Sequence, residues 1–115
     1  MTAPVIDSAT FADLQVSAGA DFVAELVGTF LEETPELLAE LTQARQVGDA
    51  DVFRRAAHSI KSNSQTFGAL ALGALARDLE LQGLHPDPAH DKQAIAALGH
   101  AYAQAAAALK EMARV

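Results

Sequence analysis

Apolar residues recur every three or four positions along nearly the whole chain, and no stretch alternates long enough with a period of two. Spacings of three and four place side chains on one face of an α-helix, whereas a half-buried strand needs strict alternation. The clearest run has spacings of 3, 4, 3, 4 and 3, at Ile95, Leu98, Tyr102, Ala105, Leu109 and Met112. Such a seam is typical of a helix in a left-handed bundle, so the sequence predicts an all-α fold.

Glycines, prolines and capping residues divide this pattern into one short helix and four long ones. The predicted helices occupy about Ser8–Val16, a run around Val23–Val47, a stretch after the Asp49 cap to about Phe67, then about Ala69–Gln82 and Pro88–Ala113. Pro35 lies inside the second run, which predicts one kinked helix, with a full break after Thr34 as the alternative.

Four long helices with short connections favour an antiparallel up-and-down four-helix bundle, and the short N-terminal helix is expected to lie across one end. No linker or internal repeat marks a second domain, so residues 1–115 are predicted to form a single domain. The chain starts at Met1 and ends just past the last predicted helix, from which we expect a free-standing module.

Charge and composition exclude several classes of function. The net charge of −7 repels nucleic acids and anionic membrane surfaces. The chain contains no cysteine, which excludes a disulfide scaffold and a thiolate nucleophile and is compatible with the cytoplasm. No stretch reaches the roughly 20 apolar residues of a membrane span, and no glycine-rich nucleotide-binding motif is present.

The third predicted helix has a distinctive polar face. At about 100° per residue, its core side carries Phe53, Ala56, Ile60, Ser64 and Phe67. The opposite side carries Arg54, His58, Lys61, Ser62 and Gln65, with Arg55 at its flank. The segment from Val52 to Arg77 contains four basic residues and no acidic one, although the chain as a whole is acidic. This pattern predicts a basic surround for His58.

This helix contains the segment AHSIKSNSQTFGA at residues 57–69, and Leu79-Glu80 follows in the next helix. The segment closely resembles the signature of the histidine-containing phosphotransfer domains of two-component phosphorelays. That signature has a histidine, an apolar residue two positions later, a lysine three positions later, small residues next and a glycine ten positions later. The family's four-helix bundle with a short extra helix fits nearly all of the chain.

The resemblance implies that His58 is phosphorylated on Nε2 and that this chain carries phosphoryl groups. His58 would take the group from the aspartate of one receiver domain and pass it to another, or run the reverse reaction. The implied partners are response-regulator receiver domains and a sensor or hybrid histidine kinase. The receiver would supply Mg²⁺, so this chain is expected to bind no cofactor. The resemblance also implies that the chain has no catalytic turnover of its own and acts as a monomer.

Residues near His58 are assigned supporting roles. Lys61 lies one helical turn away, so its ammonium could meet the transferred phosphoryl oxygens. Ser62 could donate a hydrogen bond to the same group, and Gln65 could do so or simply face solvent. We expect Arg54 and Arg55 to contact the acidic rim of a receiver, with helix solubility as the alternative.

Three residues of the segment are predicted to be structural. Gly68 is expected to end the helix in the left-handed conformation. Ser64 is expected to allow close approach of a neighbouring helix. Asn63 points towards the core side of the wheel, where its amide should form a hydrogen bond to a neighbouring helix.

Two departures from the family pattern and two rival functions stand beside this interpretation. Ser62 replaces a glycine found in most members, which predicts altered kinetics and not loss of function. Ala76 replaces a cysteine common at a packing position, which predicts no effect on function.

The rivals are a helical adaptor that is not phosphorylated, and a bundle with a metal ion in its core. His85, His90 and His100 are too scattered to favour the metal, and surface or packing roles are expected for them.

Overall fold

The computed structural model describes residues 5–113, which form five α-helices and contain no strand. The helices are α1 (Ser8–Ala18), α2 (Ala20–Val47), α3 (Ala50–Phe67), α4 (Leu70–Gln82) and α5 (Pro88–Met112). The all-α prediction is therefore confirmed, with helix ends close to the predicted ones. The first four and last two residues of the predicted single domain lie outside the described residues.

The predicted capping residues define the ends of α3 and the start of α5. The Asp49 carboxylate accepts a hydrogen bond from the Val52 amide, and the Asp87 carboxylate accepts one from the Ala89 amide. These bonds satisfy amides that have no partner inside the helix. Gly68 ends α3 with φ +82° and ψ 18°, the left-handed conformation that the sequence predicts.

Helix α2 continues through Pro35 from Ala20 to Val47, so a full break after Thr34 does not occur. Proline has no amide hydrogen, so it cannot donate to the Leu31 carbonyl four residues earlier. The Tyr102 hydroxyl of α5 donates to that carbonyl at 3.2 Å. A side chain from another helix thus replaces the hydrogen bond that Pro35 removes.

We expect Tyr102→Phe to lower the free energy of unfolding by about 1–2 kcal/mol, because it leaves the Leu31 carbonyl without its partner. In a Pro35→Ala background, the alanine amide can donate to Leu31 and the cost of Tyr102→Phe should be smaller. Urea denaturation of the four proteins measures this coupling. An equal cost in both backgrounds would contradict the compensation.

Helix α2 runs opposite to its neighbours α3 and α5, and α3 runs opposite to α4. Arg45 pairs with Asp91 while Leu31 contacts Tyr102, so α2 and α5 are antiparallel. Glu80 lies beside His58 while Gly73 lies beside Gln65, so α3 and α4 are antiparallel as well. Glu40 borders a notch with Val52 and Glu33 borders one with Thr66, so α2 and α3 also run in opposite directions. Buried apolar residues from all five helices, including Phe53, form one core. Met112 was predicted to belong to this core, but it is 36% exposed because α5 ends there.

Helix α1 meets α2 at a bend of 119° and contacts the carboxyl end of α3. The Asp7 amide donates to the Gly68 carbonyl at 2.8 Å, which joins the start of α1 to the end of α3. Within residues 5–113, no single helix is long and apolar enough to cross a membrane. Helices α1 and α2 together have sufficient length and apolar composition, but they are bent by 119° relative to each other.

Candidate functional site

Helix α3 has a buried face and an exposed face, as its sequence predicts. The buried residues include all five predicted core positions: Phe53, Ala56, Ile60, Ser64 and Phe67. On the opposite face the His58 side chain is 54% exposed, so a partner molecule can reach the imidazole. Lys61, one turn further along, is 21% exposed.

Glu80 of α4 joins these two side chains. Its Oε2 lies 2.7 Å from His58 Nδ1, and its Oε1 lies 2.9 Å from Lys61 Nζ. The Glu80 side chain is only 16% exposed. One carboxylate therefore holds the imidazole and the ammonium together.

The ionisation of Glu80 determines which nitrogen of His58 is free. The hydrogen bonds from Lys61 and then from His58 lower the pKa of Glu80 below its usual value, against the opposing effect of desolvation. The ionised carboxylate can only accept hydrogen bonds, so His58 Nδ1 must donate. In the neutral imidazole the lone pair then lies on Nε2, which is the nitrogen that the family resemblance implies.

Close packing of α4 against α3 brings Glu80 within reach. Gly73 faces α3, where a Cβ atom would lie 3.3 Å from Gln65 Cγ and 3.7 Å from both the Lys61 carbonyl and Ser64 Cβ. Ser64 is fully buried and its hydroxyl donates to the Ile60 carbonyl, so it adds little bulk and leaves no unpaired hydroxyl. Ala76 is also fully buried, as expected of a packing position.

The structure distributes the other predicted residues of α3 around the imidazole. Ser62 is exposed and lines the same groove as His58, and Gln65 is exposed near Gly73. Asn63 was predicted to form a hydrogen bond to a neighbouring helix, but its side chain has no such bond within residues 5–113. Its position between α2 and α3 opens to the surface, so the amide lines the groove and can be solvated.

Arg54 and Arg55 lie at the amino-terminal side of His58. Arg54 forms an exposed ion pair with Asp51 at 3.1 Å, in which the two side chains are 54% and 74% exposed. Such pairs contribute little to stability, and a partner can displace them. Arg55 is exposed in a notch with Glu40 of α2. Their role in docking stays a prediction.

The expected basic surround of His58 is wrong in three dimensions. Glu33, Glu36 and Glu40 of α2 line the groove that contains His58, together with Leu37, Ser59, Ser62 and Asn63. The acid-free segment from Val52 to Arg77 describes only the sequence near the histidine. Packing adds acidic side chains from α2 and α4, which the local sequence does not contain.

Comparison with known proteins identifies the family. The model of the Hpt domain matches residues 25–112, which is most of the chain and includes the whole site. The chain belongs to the Hpt domain family. Hpt domains carry out histidine phosphotransfer in phosphorelays, where they interact with receiver domains and histidine kinases.

A solved Hpt structure resembles the whole fold. The crystal structure of histidine-containing phosphotransfer protein B (HptB) from Pseudomonas aeruginosa PAO1 matches with a TM-score of 0.83 and 27% sequence identity. The match covers 98% of this chain and 97% of HptB, so it includes the short N-terminal helix as well as the long ones. A search of curated proteins finds no significant match.

The other histidines of this Hpt domain lie away from His58 in the sequence. The rings of His85 and His90 stack 4.0 Å apart beside Asp91, and His100 Nε2 lies 3.5 Å from the Gln104 amide nitrogen. Within residues 5–113, no three His, Asp or Glu side chains form a group that could hold a metal ion.

Sequence reasoning missed two parts of the site. Leu79-Glu80 belongs to the segment that carries the resemblance, but no role was assigned to Glu80. The three α2 glutamates are spaced three and four apart, which places them on one helix face. That spacing was a usable signal, although it does not say which neighbouring helix the face meets.

Proposed function

We propose that His58 is the phosphorylated residue of this Hpt domain and that it shuttles phosphoryl groups between the aspartates of receiver domains. The observation that supports this most directly is the exposed imidazole with Nδ1 bonded to Glu80. The bond orients the ring and leaves Nε2 as the nucleophile.

The transfer step needs no separate base. The Nε2 lone pair attacks the phosphorus of the receiver's aspartyl phosphate, the Nε2–P bond forms, and the P–O bond to the aspartate breaks. The receiver's carboxylate leaves with the bonding electrons. Positive charge develops on the imidazole as Nε2 bonds to phosphorus, and the Glu80 carboxylate at Nδ1 stabilises that charge.

Two side chains near His58 are suited to bind the transferred group. The Lys61 ammonium has three donors, and its ion pair with Glu80 engages only part of this capacity. The Ser62 hydroxyl lies in the same groove as His58 and can also donate. We assign a weaker role to Gln65, which is exposed near Gly73 and whose side chain forms no hydrogen bond within residues 5–113.

The partners follow from the family. We propose that this chain acts as a monomeric, single-domain carrier in the cytoplasm, between a sensor or hybrid kinase and response regulators. We assign the Mg²⁺ to the receiver, where it would neutralise the phosphoryl oxygens during transfer. The carrier then contributes a positioned nucleophile and has no turnover of its own.

The main rival is an adaptor that keeps the bundle but is not phosphorylated. Such a protein would tolerate loss of the imidazole. The hydrogen bond of His58 with the largely buried Glu80 carboxylate argues against an adaptor, because a histidine that only faces solvent needs no partner to orient its ring.

Transfer from a radiolabelled, phosphorylated receiver tests the proposal. We expect label to appear on the wild-type protein as an acid-labile, base-stable phosphoryl group, and His58→Gln to reduce it to background. His100→Gln is the matched control, because His100 is an exposed histidine on α5. Equal labelling of His58→Gln and wild type, or no labelling by any receiver, would support the adaptor.

A further inference from the structure

The face of α2 beside His58 carries unneutralised negative charge. Glu33, Glu36 and Glu40 are exposed and line the groove that contains His58. None of the three side chains forms an ion pair or hydrogen bond within residues 5–113. These three carboxylates therefore place negative charge along one wall of the groove that contains the His58 imidazole.

This acidic groove is continuous with the surface on either side of it. Towards the amino end of α2, Glu33 and Asn63 also border a less polar notch floored by Phe30 and Phe67. Towards the other end, Glu40 borders the notch that contains Arg55. A partner that reaches His58 therefore meets carboxylates along α2 and an arginine beyond them.

A docked receiver must cover these carboxylates. A standard interface buries about 800 Å² on each partner, which corresponds to a disc of about 16 Å radius centred on His58. Glu36 and its two neighbours line the same groove as His58 and fall inside that area. The incoming phosphoryl group is itself anionic, so the groove repels it unless the partner supplies positive charge there.

We propose that Glu33, Glu36 and Glu40 select receiver domains that present a lysine or arginine to α2, beside the receiver's phosphorylation pocket. The inference rests on the proposed phosphotransfer at His58 and names the kind of receiver involved. Receivers with an acidic side chain at that place are rejected by like-charge repulsion. The selection acts on docking and not on the chemistry at Nε2.

Charge reversal at one groove position tests the selection. Glu36→Lys is compared with Asp21→Lys, which makes the same change in net charge at an exposed position of α2 that lies about 22 Å along the helix from Glu36, outside the area that the receiver covers. The probe is the purified receiver domain from the same organism that exchanges phosphate fastest with the wild-type protein. The readouts are the second-order rate constant and the rate at saturating receiver.

At about 0.1 M salt we expect Glu36→Lys to lower the second-order rate constant about tenfold and Asp21→Lys to lower it less than about twofold. The difference should largely disappear near 1 M salt, where screening acts over about 3 Å. The rate at saturating receiver should be unchanged in both variants. Replacing the receiver's basic residue by glutamate should restore transfer to Glu36→Lys.

The outcomes separate this inference from the proposed function. If no receiver labels the wild-type protein, phosphotransfer and the selection both fail. If the wild-type protein is labelled but Glu36→Lys and Asp21→Lys behave alike, or Glu36→Lys is faster, only the selection is overturned. A loss confined to the rate at saturating receiver would also overturn it, because the glutamates would then act on the chemistry.

Discussion

Glu80→Ala is expected to slow phosphoryl transfer to His58 by about 10- to 100-fold, by analogy with the loss caused by removing a group that orients a metal-binding histidine. Without the carboxylate, Nδ1 has no acceptor at 2.7 Å and the imidazole is free to rotate and to place its proton on Nε2. Nitrogen-15 NMR of the imidazole measures the tautomer, and receiver-dependent labelling measures the rate. The tautomer of the imidazole and the rate of labelling should change together.

Glu80→Gln is the matched control for Glu80→Ala. The glutamine carbonyl can still accept the Nδ1 hydrogen, so the tautomer should be kept. The amide cannot form the ion pair with Lys61 or stabilise positive charge on the imidazole, so the rate should fall between those of wild type and Glu80→Ala. A normal rate in Glu80→Ala, or an unchanged tautomer with a slow rate, would contradict the orienting role.

The lowered pKa of Glu80 also predicts a dependence of stability on pH. A carboxyl group whose pKa is lower in the folded state stabilises the fold above its unfolded pKa, here 4.5, and loses that contribution as the pH falls through the folded value. The difference in free energy of unfolding between wild type and Glu80→Gln should therefore be constant above pH 4.5 and shrink in more acidic solution. Denaturation at several pH values measures it.

Gly68→Ala is expected to lower the free energy of unfolding by about 3 kcal/mol, for two reasons that act together. Gly68 has φ +82°, which strains any residue that has a Cβ atom. That Cβ would also lie 2.9 Å from the Asp7 carbonyl oxygen and 3.0 Å from Thr10 Cβ. The contact is with backbone at the start of α1, so it cannot be relieved by a side-chain rotation.

Gly48→Ala separates these two causes. Gly48 has φ +74° at the end of α2, but no atom lies within 4 Å of its Cβ position. Its substitution should cost only the backbone strain, about 1 kcal/mol. Thermal and chemical denaturation of both variants measures the difference, and equal costs would show that the contact with α1 contributes nothing.

Local sequence was sufficient for the helices and for the exposed face of α3 that carries His58. The Asp49 cap, the Gly68 stop and the buried face of α3 depend on residues within a few positions of each other, and the structure agrees with each. The predicted hydrogen bond from Asn63 to a neighbouring helix was wrong, because a helical wheel gives only the direction in which a side chain leaves the helix axis. Whether a direction ends in core, in a neighbouring helix or in a groove depends on where the neighbours lie.

The sequence by itself determined that this chain is an all-α Hpt domain and that His58 is its candidate phosphorylation site, because helix periodicity and the motif are local patterns. Only the tertiary structure decided what surrounds the imidazole. Glu80 follows His58 by 22 residues and Glu36 precedes it by a similar distance, so their approach depends on how α2 and α4 pack against α3. A basic stretch of sequence thereby becomes a site of mixed charge.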